Sequence, residues 1–186
     1  MLLTNQNIEQ LLLLCSSGNA QAQQEVYNRY YHAMYNTAYR IVKDSYKAED
    51  VMQESFLTAF TKLESLNDSN VFGAWLKRIV VNTSIADYNK TSKVNTTPLD
   101  NLLYKVEDAS GLQEEDLCST KVKQVMTAMK QLKPNYNLSL TLYLIEGYDY
   151  EEISEIMNIS YANCRTMISR AKEKLRQILL TEKVNY

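Results

Sequence analysis

The spacing of apolar residues along the chain predicts helices throughout. From Ala20 to Val42, Val26, Tyr30, Met34, Ala38 and Ile41 recur every three or four residues while Gln, Asn and Arg fill the opposite side, as in one amphipathic helix. A second helix is expected from about Lys47. Glu49 and Asp50 would then lie in its first turn, at the positive end of the helix dipole, with Val51, Phe56, Phe60 and Leu63 turned inward. Asn67-Asp68-Ser69-Asn70 interrupts the pattern, and a third helix is expected from about Val71 to Tyr88. It carries Phe72, Trp75, Leu76, Ile79 and Val80 on one side and Lys77, Arg78, Asn82 and Asp87 around the rest. These three helices can enclose one small core, with Leu11 to Leu14, ahead of Gly18, forming a short extra helix packed on them.

A second group of helices follows further down the chain. Leu117, Val122, Val125, Met126, Met129 and Leu132 share one helical face, and their helix must end before Pro134 because the residue preceding a proline avoids the α region. Another is expected from about Tyr136 to Glu146, stopping at Gly147. Asp149 followed by Glu152 has the spacing of an N-cap with its reciprocal acceptor and opens a short helix through Met157. Asn158 suits a left-handed turn residue, and Ser160 caps a last helix whose apolar positions are Cys164, Ile168, Ala171, Leu175 and Ile178. Arg165, Arg170, Lys172, Lys174 and Arg176 surround that stripe, so the segment reads as a helix-turn-helix. Helix pairs of this kind also occur in proteins that never touch DNA. The small Ser154 at the helix approach, and a basic second helix opposed only by Glu173, tilt the reading toward nucleic acid.

Composition agrees with an all-α fold. Of 186 residues, 45% are apolar and 23% charged, and only 4 Gly and 2 Pro interrupt the chain, too few for a protein built of strands and turns. The formal net charge of −2 hides an uneven distribution. Residues 20–96 hold nine bases and eight acids, residues 97–120 one base and six acids, and residues 121–186 ten bases and seven acids. Two near-neutral or mildly basic segments are thus joined by an acidic one containing Pro98 and Gly111, which has the composition of a flexible linker. The expected organisation is a helical bundle in residues 1–93, a linker in 94–116 and the helix-turn-helix domain in 117–186.

Other functional classes find little support. The run Leu11 to Leu14 is far short of the roughly 20 apolar residues needed to cross a bilayer, which predicts a cytoplasmic protein without membrane insertion. Cys15, Cys118 and Cys164 lack the paired spacing of a zinc site, and His32 is the only histidine, so neither disulfide nor metal is expected. No glycine-rich phosphate loop and no nucleophile with a nearby base is evident, so neither a cofactor nor enzymatic activity is expected.

Four motifs in order, AEDVMQESF (Ala48 to Phe56), FGAWLKRIVVNTSIADY (Phe72 to Tyr88), LIEGYDYEEISEIMNIS (Leu144 to Ser160) and SRAKEKLR (Ser169 to Arg176), together resemble bacterial RNA polymerase sigma factors of the extracytoplasmic-function class. The resemblance implies a region-two domain that binds the polymerase clamp and opens the minus-ten element, and a region-four domain that reads the minus-thirty-five element. Asp50, Gln53 and Glu54, at i, i+3 and i+4, share one helical face, and in the family the matching face docks on the coiled coil of the β′ subunit. By the same resemblance the minus-ten set comprises the loop residues Asn67, Asp68, Ser69 and Asn70 together with Trp75, Arg78, Asn82 and Lys90. Asn82 matches the position that contacts a flipped base, while Trp75 also reads as core. The minus-thirty-five set comprises Tyr161, Asn163, Arg165, Thr166, Ser169, Arg170 and Lys172. The implied partners are the β′ clamp and β subunit of core polymerase and promoter DNA, with an anti-sigma factor or a separate DNA-targeting protein as further partners the family allows.

Two departures from the family pattern bear on affinity. Asn89-Lys90-Thr91-Ser92-Lys93 stands where an arginine cluster is common, and Met167 where a basic residue is frequent. Fewer neutralised phosphates predict that the free chain holds duplex DNA weakly. An alternative follows, in which a sigma-like adaptor keeps polymerase docking but is brought to DNA by another protein.

Overall fold

The computed structural model describes residues 3–94 and 117–184, with side chains in 3–90 and 121–181. The predicted linker beyond Val94, with Pro98 and Gly111, lies outside the described residues, as does the side chain of Cys118. The chain divides into two compact units, Met1–Asn101 and Leu102–Tyr186. All regular structure among the described residues is helical.

In the first unit, α1 (Ile8–Ser16), α2 (Ala20–Val42), α3 (Ser45–Thr61) and α4 (Phe72–Val94) each begin where local chemistry dictates. The side chains of Asn7, Asn19 and Asp44 accept hydrogen bonds from the N–H groups of Gln10, Ala22 and Lys47 at 2.9, 3.0 and 3.0 Å, satisfying donors that a helix start leaves unpaired. Gly18 (φ +81°) and Lys43 (φ +59°) then turn the chain between helices. Helices α2, α3 and α4 pack against one another and α1 packs on α2. Val26, Met52, Phe56, Phe72, Leu76 and Val80 fill the centre. The rings of Tyr30 and Phe72 meet in an edge-to-face arrangement, with centres 5.2 Å apart and planes at 78°. A Cβ on Gly73 would stand 3.1 Å from the Tyr30 ring, so the start of α4 comes this close because residue 73 lacks a side chain.

Two expected boundaries shift. Because Asp44 is the cap, α3 starts at Ser45 rather than near Lys47, and Glu49 and Asp50 fall in its second turn, beyond the strongest part of the dipole. Glu49 has another role, accepting a hydrogen bond from the Tyr31 hydroxyl at 2.8 Å. Helix α4 continues past Tyr88 to Val94, since neither Gly nor Pro stops it.

The second unit contains α5 (Leu117–Lys130), α6 (Pro134–Leu140), α7 (Tyr150–Ile156) and α8 (Tyr161–Val184). Helix α6 begins at Pro134 and not at Tyr136, because at the first helical position the missing N–H of proline has no partner to lose. It loosens into a π-turn at Thr141–Ile145 and ends at Gly147 (φ +79°). Helix α5 buries Ala128 and Met129 near its C-terminal end, whereas Val122, expected on the inner face, is 56% exposed. Leu140, Leu142, Ile153, Cys164, Ile168 and Ala171 form the centre of this unit.

The capping box at α7 is fully formed. The Asp149 carboxylate accepts from the Glu152 N–H at 2.8 Å, and the Glu152 carboxylate accepts from the Asp149 N–H at 3.0 Å. An Asp149→Ala variant is expected to lose about 1 kcal/mol of stability, read as a lower urea midpoint of the α7 and α8 amide resonances. An unchanged midpoint would show that the box contributes nothing.

Candidate functional site

Helix α3 separates two chemistries by periodicity. Ala48, Val51, Met52, Ser55, Phe56 and Ala59 are buried, and Asp50, Gln53 and Glu54 are exposed together on the other side. Tyr46, at 84% exposure, and Leu57, at 70%, lie one turn before Asp50 and one turn after Gln53 on the same stripe. Sequence reading passed over both, although their 46-50-53-57 spacing is a signal that was available. Phe60 is half-buried and packs on the core beside Phe56, at 5.9 Å between ring centres.

The candidate minus-ten residues cluster where the loop enters α4. Asp68 organises that loop: its Oδ1 accepts from both the backbone N–H and the side-chain amide of Asn70, each at 2.9 Å, and it caps the single 3-10 turn Ser69–Val71 that runs into the helix. Asn67, Asp68 and Asn70 are exposed and Ser69 is half-buried. Within α4, Trp75, Arg78 and Asn82 follow at three- and four-residue steps and share one stripe. Trp75 is half-buried with its ring 5.9 Å from Phe72, so it packs on the core and still has one side available. Asn82 is exposed. Lys90, also exposed, lies two turns further on, about 12 Å along the axis.

In the second unit, the turn between α7 and α8 is made by Asn158 in the left-handed region (φ +52°). The Ser160 hydroxyl then accepts from the Asn163 N–H at 3.3 Å and opens α8. Cys164, Ile168, Ala171 and Leu175 face inward, which leaves Asn163, Arg165, Thr166, Ser169 and Arg170 exposed. The Thr166 hydroxyl donates to the Ala162 carbonyl at 2.8 Å, keeping its oxygen available as an acceptor. Further along, Arg176 is paired with Glu173 at 2.8 Å.

Lys172 differs from the other bases proposed on α8. It is half-buried, and its Nζ lies 3.9 Å from the centre of the Tyr143 ring. Tyr143 stacks on Tyr150 (5.1 Å, 15°), and Tyr150 meets Tyr161 edge-on (6.4 Å, 88°). Hydrogen bonding from Tyr150 and Lys172, with the ammonium charge, holds the Tyr143 phenol below its usual range. Ser154, expected to permit close helix approach, is half-buried and donates its hydroxyl to the Glu151 carbonyl of its own helix at 2.7 Å.

Remaining titratable groups have structural surroundings. Burial raises the Cys15 thiol to about 11 and also raises that of Cys164, so both stay protonated at neutral pH and are poor nucleophiles. The Tyr31 phenol is pushed up to about 12, chiefly by its hydrogen bond to Glu49. Among the described residues, no group of three or more His, Cys, Asp or Glu could hold a metal ion, and no helix is long and apolar enough to cross a membrane.

Comparison with known proteins gives this arrangement a family. Residues 26–94 match the model of sigma-70 region 2, and residues 123–175 match that of sigma-70 region 4. The chain is 32% identical over 155 residues to the ECF RNA polymerase sigma factor SigM of Bacillus subtilis, covering 83% of this chain and 93% of that one. It is 30% identical over 159 residues to the ECF RNA polymerase sigma-E factor of Salmonella typhimurium, covering 79% and 81%. Among solved structures, its fold is similar to that of the sigma factor RpoE of Bartonella quintana, crystallised with the anti-sigma factor NepR (TM-score 0.56, 18% identity, 84% of this chain and 95% of that one). It is also similar to CnrH in complex with the cytosolic domain of CnrY (TM-score 0.53, 20% identity, 94% and 97%). With both sigma regions present in order and relatives at this identity along most of its length, the chain belongs to the extracytoplasmic-function family of RNA polymerase sigma factors.

Proposed function

We propose a division of labour for this transcription initiation factor, which directs RNA polymerase to specific promoters. The first unit docks on the β′ clamp through Asp50, Gln53 and Glu54 and opens the minus-ten element. Asn82 receives an extruded base there, while the loop Asn67 to Asn70, Trp75 and Arg78 flank it and Lys90 contacts phosphate. Unstacking a base costs a few kcal/mol, so a side chain that binds only the extruded base couples sequence selection to melting. The second unit places α8 at the minus-thirty-five element. Arg165 and Arg170 offer planar donors suited to guanine or phosphate, Thr166 and Ser169 lie between them, Asn163 precedes them, and Tyr161 stands at the helix start.

The observation that carries this reading is the clean partition of α3 and α4. Every proposed contact is on an exposed or half-exposed position, while Val51, Met52 and Phe56 of α3 and Phe72, Leu76 and Val80 of α4 close the core. The β subunit is the proposed second contact on polymerase, and an anti-sigma factor is a proposed regulator, supported by the complex in which RpoE was crystallised. The chain acts as a binding subunit and not as an enzyme, and works in the cytoplasm beside the polymerase.

Run-off transcription with purified core polymerase over a promoter library tests the assignment. Transcripts from a restricted promoter set should appear only when this chain is added. Absence of selective transcripts from chain and core alone would overturn autonomous promoter reading and favour the adaptor.

A further inference from the structure

We propose that Lys172 is a positioning residue that ties the recognition helix to the segment before the turn, and that it does not neutralise a DNA phosphate. Its ammonium is seated 3.9 Å from the Tyr143 ring centre, and Tyr143, Tyr150 and Tyr161 form a continuous aromatic chain. Those three rings come from the π-turn, the first residue of α7 and the first residue of α8. The contact closes a loop: Lys172 sits eleven residues into α8, and through Tyr143 and Tyr150 it returns to Tyr161 at that helix's own start.

Tilting α8 relative to α7 would separate at least one of these pairs. The cluster thus resists a change in the angle at which Arg165 and Arg170 are presented. An ammonium over a ring contributes about 0.5–1 kcal/mol at a partly exposed site, and releasing it to reach a phosphate would forfeit that contact. The pattern also sets Lys172 apart from Arg165 and Arg170, which are exposed, whereas Lys172 is half-buried.

Salt dependence separates a phosphate contact from a positioning one. The inference rests on the proposed DNA-facing role of α8 for this arm only. For holoenzyme assembled from core polymerase and the full chain, Arg165→Gln should reduce the slope of log affinity against log salt by about one. Lys172→Gln should leave the slope unchanged while weakening binding about two- to five-fold, the equivalent of one ring contact. Lys172→Arg, whose guanidinium also seats on a ring, should restore parental binding. A slope lowered by about one in Lys172→Gln would overturn the proposal.

The second arm needs no DNA. Urea midpoints of α8 amide resonances are measured in the full chain for Lys172→Gln, Tyr143→Leu and the double variant. The double variant should fall no further than the worse single one, because the two changes remove the same contact. Additive losses would overturn the proposal even if every DNA result agreed. An unchanged slope in Arg165→Gln would instead remove the DNA reading of α8, and the midpoint cycle would still decide the role of Lys172.

Discussion

Replacing Asp50, Gln53 and Glu54 together with alanine will abolish capture of core RNA polymerase while leaving the helical content of the chain unchanged. All three side chains are exposed, and the residues that hold α3 in the bundle are on its other side. Alanine is the strongest helix former, so the substitutions favour the helix itself. At a partner surface, hydrogen bonds to charged groups contribute about 1.5–3 kcal/mol each. Losing two carboxylates and an amide should then weaken binding on the order of a thousand-fold or more. Glu49→Gln provides the control, since that carboxylate is half-buried and engaged with Tyr31. Its capture of polymerase should match the parent's. If the triple variant still captures polymerase at the parental level, the docking face is elsewhere.

The exposed stripe on α3 also shows where reading the sequence succeeds and where it stops. Period alone placed Asp50, Gln53 and Glu54 together and located α2 at its observed bounds, because a long amphipathic helix declares its buried face repeatedly. Caps were equally legible where the acceptor and its partner are three residues apart, as at Asp149 and Glu152. The start of α3 is harder to read, because both Asp44 as a cap and the acidic pair at 49–50 as a first turn fit the sequence, and the structure uses Asp44. Leu57, next to the buried Phe56, has the composition of a core position, and only the helical wheel sets it on the exposed stripe. Lys172 marks a deeper limit. Its ring partner Tyr143 is 29 positions away, and only the packing of the π-turn against α8 brings them together. No local pattern encodes such a pair, and a basic helix in isolation makes all its lysines look alike.

Asn82→Ala is expected to reduce open-complex formation about 10- to 100-fold without changing capture of core polymerase. Asn82 is exposed within α4, where alanine is the better helix former, so lost activity would not reflect an unfolded helix. An amide can donate and accept at once, and a good bidentate contact to a base is worth about 1–3 kcal/mol. That contact becomes available when the base leaves the stack, so its loss falls on the melted state and not on the closed one. Permanganate reactivity of minus-ten thymines should therefore drop, while protection upstream stays as in the parent. On a template already unpaired across the minus-ten element, the cost of opening is removed and the defect should shrink several-fold. Equal permanganate reactivity of variant and parent would exclude Asn82 from the site. A defect of the same size on duplex and pre-opened templates would assign Asn82 to a step after melting.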